Sequence, residues 1–410
     1  VIVGIAGGRT EAGQADGRVR ARHRAPRVVF IGHSAAWSGA EISLTRLLDH
    51  LPDVEATVLL AEDGPLADHL RDMDIDHRVV PLSDTAAHVS RAQVTAGRLP
   101  LRALSDTMAY TVRLARVLRR LRPDIVHTNS MKAHLYGGVA AAIARVPHVW
   151  HARDRAAVDY LPRPTVALVR LAARVLPSVL IANSHSTLDT YPGARRGVVV
   201  YNGVPTHPNQ PTPAPGPPLR VGIVGRLAPW KGQHLFLDAF AAAFADGRQQ
   251  AVVIGGALFG EEAYEADLKT RAERLGIGDR VDFTGFTDDV PGHIENLDVL
   301  VHCSTIPEPF GQVVVEGMAA GRAVVAADAG GPAEIIDAGR SGLLVPPGDV
   351  AGLADALRRL DDDPALRARL GAAAYTAAQD LTPQRCAEQV AAVYMRLAPR
   401  RGLRRRPWTT

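Results

Sequence analysis

The chain has 410 residues, 47% hydrophobic and 22% charged, with a formal net charge of +4. That balance excludes a disordered or fibrous chain and suits two globular domains of roughly 180 residues each. Aromatics are only 5% and do not interleave with the basic ends, which argues against a nucleic-acid platform. With only Cys303 and Cys386, a disulfide framework or a Cys-based zinc site is not expected, and a reducing, cytoplasmic compartment is.

Residues 1–25 read as a flexible leader: "VIVGIAGG" lacks the basic region that precedes a signal peptide's apolar core. A start at Val in an Ala- and Arg-rich chain fits an alternative start codon in a GC-rich, actinomycete-like genome. From residue 26 to 205, short apolar runs alternate with amphipathic stretches. Strands are expected near 27–32, 55–60, 78–80, 124–128, 148–151, 178–182 and 198–201. That alternation predicts a doubly wound parallel sheet. Between the third and fourth strands, "LRALSDTMAYTVRLARVLRRLR" predicts a helix with Arg113, Arg116, Arg119 and Arg120 near Leu114, Val117 and Leu118. It is either a solvated face or a surface lying on an anionic membrane, which would make the protein peripheral at the inner leaflet. The fourth strand ends at His127 and Thr128, after which Asn129 and Ser130 begin a helix carrying Lys132 and His134. Polar groups at such an edge face a cleft. The next strand ends in "HVWHARDR", where His151, Arg153, Asp154 and Arg155 are either an acceptor site or, through an Arg-Asp pair, a salt bridge stapling two domains. The longest apolar stretch, "TVALVRLAARVLPSVLIA", is interrupted by Arg170, Arg174 and Pro177, so no membrane span is expected.

The Pro-rich stretch 206–218 cannot join a sheet interior and marks a linker. The pattern then repeats over 219–380, with strands expected near 219–224, 251–254, 280–283, 299–303, 323–327 and 342–345. In "LRVGIVGRLAPWKGQHLFLDAF", Arg226 and Lys231 leave the carboxyl end of a strand together, where open α/β sheets bind ligands. The chain's only lysines are Lys132, Lys231 and Lys269, so a lysine kept at that edge hints at a point-charge phosphate contact. Further on, "EPFGQVVVE" places Glu308 in a loop after a strand and Glu316 in the first turns of the following helix. Gly311 admits close backbone approach, and the helix's first N–H groups suit a diphosphate. The two carboxylates can accept hydrogen bonds from sugar and ribose hydroxyls, or merely complement the helix dipole. The Asp-rich runs at Asp72 to Asp76 and Asp361 to Asp363 lie in charged, surface-like contexts, so no metal or other cofactor is expected.

"GRLAPWKG", followed by "EPFGQVVVEGMAAGRAVVAADAGGPAEII", resembles the donor half of the family-4 retaining glycosyltransferases with the GT-B fold. "WSGAEISLTRLL" and "NGV" at Asn202 to Val204 are similar to that family's first loop and helix and to its exit from the first domain. The resemblance implies two Rossmann-like domains facing each other across a cleft. It also implies a helix over 381–398 that crosses back to the first domain, leaving 399–410 as a basic tail. It further implies a metal-independent, same-face transfer from a nucleotide-sugar donor, with UDP the commonest base, to a small-molecule, glycan or lipid-linked acceptor. Arg226 and Lys231 would bind and stabilise the departing diphosphate. Glu308 would hold donor-sugar hydroxyls, Phe310 and Gly311 would present backbone N–H groups, and Glu316 would bind ribose. Gly39 would approach the diphosphate from the opposite domain, although Ser38 stands where the family often has a glycine. His127 would contact donor sugar or acceptor, with Asn129 replacing the second histidine of the usual pair; such a histidine can equally be satisfied by a backbone carbonyl. A sugar-nucleotide epimerase would share the donor clamp. A nicotinamide-dependent oxidoreductase fits less well, because "VGIVGRL" lacks the third glycine of the dinucleotide fingerprint.

Overall fold

A computed structural model describes residues 24–83, 101–194, 196–206, 218–245, 247–257 and 260–398. The leader up to residue 23, most of the Pro-rich linker and the basic tail fall outside the described residues. Two parallel sheets organise the rest. The first has seven strands in the order β3-β2-β1-β4-β5-β6-β7: β1 Arg27–Gly32, β2 Glu55–Leu60, β3 Asp76–Val79, β4 Ile125–Thr128, β5 His148–Ala152, β6 Val179–Ala182 and β7 Gly197–Val199. The second has six in the order β10-β9-β8-β11-β12-β13: β8 Arg220–Val224, β9 Gln250–Ile254, β10 Val281–Gly285, β11 Val299–His302, β12 Ala323–Ala327 and β13 Leu343–Val345. Central strands such as "VLVH" and "AVVAA" are buried throughout, as strands covered on both faces by helices must be. Each sheet reverses its winding once, between β1 and β4 and between β8 and β11, and ligands of open α/β sheets bind at such switch points.

On one face of the first sheet lie α1 Gly39–His50 and α2 Pro65–Asp72. They share a core with Phe30, Val58 and Leu60. The last helix among the described residues, Pro383–Leu397, fills the same core with Cys386, Val390, Val393 and Tyr394, so it packs back on the first sheet. Thr382 caps that helix by accepting the Arg385 N–H. The opposite face carries α3 Leu101–Leu121, α4 Met131–Ala144 and α5 Arg163–Val175. In α3 the residues Tyr110, Leu114, Ala115 and Leu118 point into the core. Of the two readings of this helix the packing fits the solvated face: its apolar side is consumed by the sheet, and Arg113, Arg116 and Arg120 are left outside.

Candidate functional site

Lys231 stands in a single 3₁₀ turn, Pro229–Lys231, beyond the end of β8. The turn closes on Gly232, whose φ of 79° is left-handed; a Cβ there would lie 2.1 Å from the Cys303 carbonyl oxygen. The glycine therefore lets the Lys231 turn rest directly on the end of β11. Thr305 N–H donates to the Trp230 carbonyl at 2.8 Å and ties the two strand ends together. Glu308 meets the turn there: Lys231 Nζ donates to its Oε1 at 2.6 Å, His302 Nε2 lies 3.0 Å from the same oxygen, and the Ser304 hydroxyl donates to it as well. Burial alone would raise the Glu308 pKa, but the Lys231 and His302 charges outweigh it and hold the carboxyl well below its ordinary range. It is therefore an anion at neutral pH. Arg226 follows β8 on the same edge, its guanidinium 6.0 Å from the Trp230 ring, and Lys231 Nζ lies 4.6 Å from that ring. Gln233 donates to the Arg226 carbonyl at 3.0 Å and fixes the backbone between the two cations.

Gly311 caps α10, Gln312–Ala319, the tenth α-helix in chain order among the described residues. Its φ of 86° is again left-handed, and a Cβ would meet Pro332 at 2.7 Å. The loop that carries Glu308 is sewn to the next crossover, where Gly331 N–H donates to the Glu308 carbonyl at 2.9 Å. Phe310 is buried in the core beside Val314 and Ile336. Glu316, on α10, faces the other domain: Arg46 of α1 donates to its Oε1 at 3.2 Å, and Gln312 donates to the same oxygen at 3.3 Å. Ser43 of α1 reaches Gln312 Oε1 at 3.0 Å. A Cβ on Gly39 would stand 4.0 Å from that same Gln312 oxygen, so the start of α1 lies against the start of α10. The two helix N-termini thus converge with Arg226, Lys231, Glu308 and Glu316 on one cleft. This arrangement can hold a diphosphate between backbone N–H groups and cations, with a carboxylate on either side of it.

A family model described as "Glycosyltransferase Family 4" matches residues 37–207, and one described as "Glycosyl transferases group 1" matches residues 209–377. A GDP-mannose-dependent alpha-mannosyltransferase of Mycobacterium tuberculosis is 29% identical over 76% of this chain and 81% of its own length. The lipopolysaccharide core biosynthesis glycosyltransferase LpsD of Rhizobium meliloti is 41% identical over 28% of this chain and 33% of its own, and LpsB of the same organism matches over 50% of its length. The chain thus spans a third to a half of the two Rhizobium relatives. The crystal structure of Anabaena Alr3699/HepE in complex with UDP and glucose superimposes with a TM-score of 0.76 at 28% identity, covering 90% of this chain and 99% of that one. The chain belongs to the family-4 glycosyltransferases of the GT-B fold.

In the first domain the structure corrects several sequence expectations. His127 is fully buried, with Nε2 3.2 Å from His151 Nδ1 and Nδ1 2.6 Å from the Tyr394 hydroxyl. Both ring nitrogens are engaged within the protein, so the ring supports the returning helix. His151 is likewise buried and acts as its partner. Asn129 and Arg153 form a buried brace: Arg153 donates to Asn129 Oδ1 and to Asn202 Oδ1, each at 2.6 Å, while Asn129 Nδ2 holds the Ala40 carbonyl at 3.1 Å. They support the α1 loop from beneath. Burial pulls the Arg153 pKa down to about 10. Lys132 is exposed and Asp154 half-buried, so these two remain at the surface. Ser38, in place of the family's glycine, turns its hydroxyl onto the buried Glu41. Burial raises the pKa of that carboxyl.

The staple between the domains includes Arg155, from the cluster for which the sequence offered such a staple, and otherwise residues that sequence reasoning missed. Arg155 donates to the Pro307 carbonyl at 3.3 Å, and Ser184 and Thr187 both donate to the Pro309 carbonyl, Thr187 at 3.1 Å. The backbone on each side of Glu308 is thereby held by the first domain. Glu334 accepts the N–H groups of His185 and Ser186, at the start of the short helix His185–Asp189, and the Tyr201 hydroxyl at 3.3 Å. These contacts join positions more than a hundred residues apart and leave no local signature. Only the acid in the first turn after "AGG" could have drawn attention to Glu334.

Proposed function

We propose that the protein is a retaining, metal-independent glycosyltransferase that moves a sugar from a nucleotide donor, UDP-linked, to an acceptor hydroxyl in the cytoplasm. The observation that carries this reading is the meeting of Lys231 and Glu308, 2.6 Å apart, from the ends of two adjacent strands opposite the start of α1. Lys231 has three N–H donors; one serves Glu308 and the others are available to a phosphate. With Arg226 beside it, the clamp neutralises charge as the diphosphate departs, the role a metal ion plays elsewhere. Glu308, held as an anion, accepts hydroxyl protons of the donor sugar, and Glu316 accepts those of ribose. The acceptor oxygen bonds to the anomeric carbon as the bond from that carbon to the phosphate oxygen breaks. The acceptor's proton passes to the leaving phosphate on the same face. The UDP and glucose bound to the Anabaena protein support the choice of donor class, whereas the name of the mycobacterial relative specifies GDP-mannose. The free, buried Cys303 and Cys386 suit a reducing compartment.

The test is incubation of the full chain with UDP-, GDP- and ADP-sugars in EDTA, following nucleoside diphosphate release and the anomeric configuration of any product. We expect one donor to be consumed with release of its diphosphate and retention at the anomeric carbon. Inversion, or a strict need for added divalent metal, would overturn the mechanism. Isomerisation of the donor without diphosphate release would replace transfer by epimerisation.

A further inference from the structure

The outward surface of α4 and α5 is apolar where a solvated helix layer should be polar. Both helices bury one side against the first sheet, through Ala133, Ala140, Val169 and Ala173 among others. Their other sides carry Val139 and Ile143, 37% and 39% exposed, and Leu168, Leu171 and Val175, 55%, 59% and 68% exposed. The spacing 139/143 and 168/171/175 sets each group along one helix face. The helices are neighbours: a Cβ on Gly138 would meet Leu176 at 3.2 Å. Val158, 64% exposed, extends this surface into the loop between β5 and α5. That loop also holds Arg155, which bonds the Pro307 carbonyl next to Glu308, so the apolar surface reaches the rim of the cleft.

Charge identifies what covers it. No Asp or Glu occurs between Thr107 and Arg122, between Met131 and Pro147, or between Arg163 and Ser178. The exposed Arg116, Arg145, Arg163 and Arg174 frame the layer, and the exposed Asp159 beside Val158 is paired with Arg155 at 2.8 Å, so the charge left over is positive. Arg119 donates to the Ile143 carbonyl at 2.9 Å and ties α3 to the end of α4, bringing the arginines of α3 alongside the apolar helices. Apposing this face to a second copy of itself would set cation against cation. An anionic lipid surface offers both complements, negative headgroups for the rim and acyl boundary for the leucines. We propose that the α4–α5 face docks on an anionic phospholipid bilayer, with the cleft opening along the membrane plane. The arginines of α3 contribute field to this contact, while insertion belongs to α4 and α5.

The test is co-sedimentation of the full chain, without nucleotide, with vesicles of phosphatidylcholine alone or mixed with phosphatidylglycerol. Because no donor is present, a negative result leaves the catalytic reading untouched. We expect sedimentation with the mixed vesicles only, weakened by salt. Leu168→Ser combined with Leu171→Ser should lower partitioning by about tenfold or more, since each leucine loses its inserted apolar area. Arg163→Gln should lower it about fivefold. Both variants change exposed side chains and should keep the wild-type circular dichroism and Tm, which verifies that they fold. Three results would overturn the proposal. One is absence of wild-type binding. Another is unchanged binding in the folded leucine variant, which would place the contact on the basic termini. The third is a wild-type dimer that the leucine variant abolishes without any vesicle binding, which would make the face a self-association surface.

Discussion

Replacing Glu308 by Gln keeps the side chain's shape and removes its charge, so it isolates what the carboxylate does for its loop. One Glu308 oxygen serves Lys231 at 2.6 Å, His302 at 3.0 Å and the Ser304 hydroxyl. The Lys231 and Glu308 side chains are 17% and 8% exposed, so water screens the pair little. A charge-assisted bond in such a place contributes about 1.5–3 kcal/mol, against about 1 kcal/mol for the neutral bond that Gln can still accept. Gln also leaves the Lys231 charge partly buried without a counter-charge. The expected net loss is about 2 kcal/mol at pH 7, or roughly 4–8 °C in Tm for a domain of this size. The sign of the pH dependence follows from the depressed pKa of Glu308. Its stabilisation is fully present above the ordinary carboxyl value of 4.5 and is lost as pH falls below that toward the folded value. Wild type and variant should therefore converge as the pH drops below about 4.5. Scanning calorimetry of both proteins at matched pH values measures this, and titrations elsewhere in the molecule cancel in the difference. An unchanged Tm at pH 7, or a penalty that stays constant well below pH 4.5, would refute the assignment of Glu308 as a buried anion.

Thr128→Val should cost about 2–4 kcal/mol in urea unfolding of the first domain, because one hydroxyl serves His134 Nδ1 at 2.7 Å and His148 Nε2 at 2.8 Å and both rings are buried. Burial pushes the pKa of His33 and of His148 down to about 4 from 6.5, so these rings stay neutral in the folded state while the unfolded chain takes up protons. First-domain stability, followed by fluorescence of the buried Trp150, should therefore fall steadily from pH 6.5 toward 4. A flat profile would contradict the buried-neutral assignment. Gly232→Ala should destabilise by about 2 kcal/mol or more, from both the left-handed backbone and the approach to Cys303, and should weaken nucleotide binding with it. Calorimetry and nucleotide titration read the two effects. Glu334→Ala strips the acceptor from two N–H groups and the Tyr201 hydroxyl across the domain junction, so small-angle scattering should show a larger radius of gyration. An unchanged radius would mean that the junction does not depend on this carboxylate.

The alternation of apolar runs made both sheets legible, because central parallel strands such as "VVFIG" and "AVVAA" are uniformly apolar and bounded by polar turns. The edge was harder: β3 is "DHRV", starting two residues earlier than its apolar end suggests, since an edge strand has one face in water. Lys231 and Glu308 were legible because each sits a few residues beyond a strand end, and the switch-point rule brings adjacent strand ends together. His127 satisfied the same rule and was misread. The residue that claims its Nδ1, Tyr394, is 267 positions away on a helix that returns from the other domain. The cross-domain bonds of Arg46 and Glu334 were illegible for the same reason: their meaning depends on how two finished domains face each other. Arg155 stood in a cluster that suggested a staple, but its partner, the Pro307 carbonyl, carries no sequence signal. The apolar side of α3 is visible in sequence, but which side of an amphipathic helix faces its own sheet is settled only by packing.

A nucleoside diphosphate should occupy the cleft between α1 and α10. A thermal-shift series with UDP, GDP, ADP, dTDP and NAD, on the wild type and on Glu316→Ala, tests this without metal or acceptor. UDP should stabilise the wild type, and the shift should be lost in the variant, because Glu316 would receive the ribose hydroxyls. A wild type indifferent to every diphosphate, a response to NAD alone, or a shift that survives Glu316→Ala unchanged would contradict it.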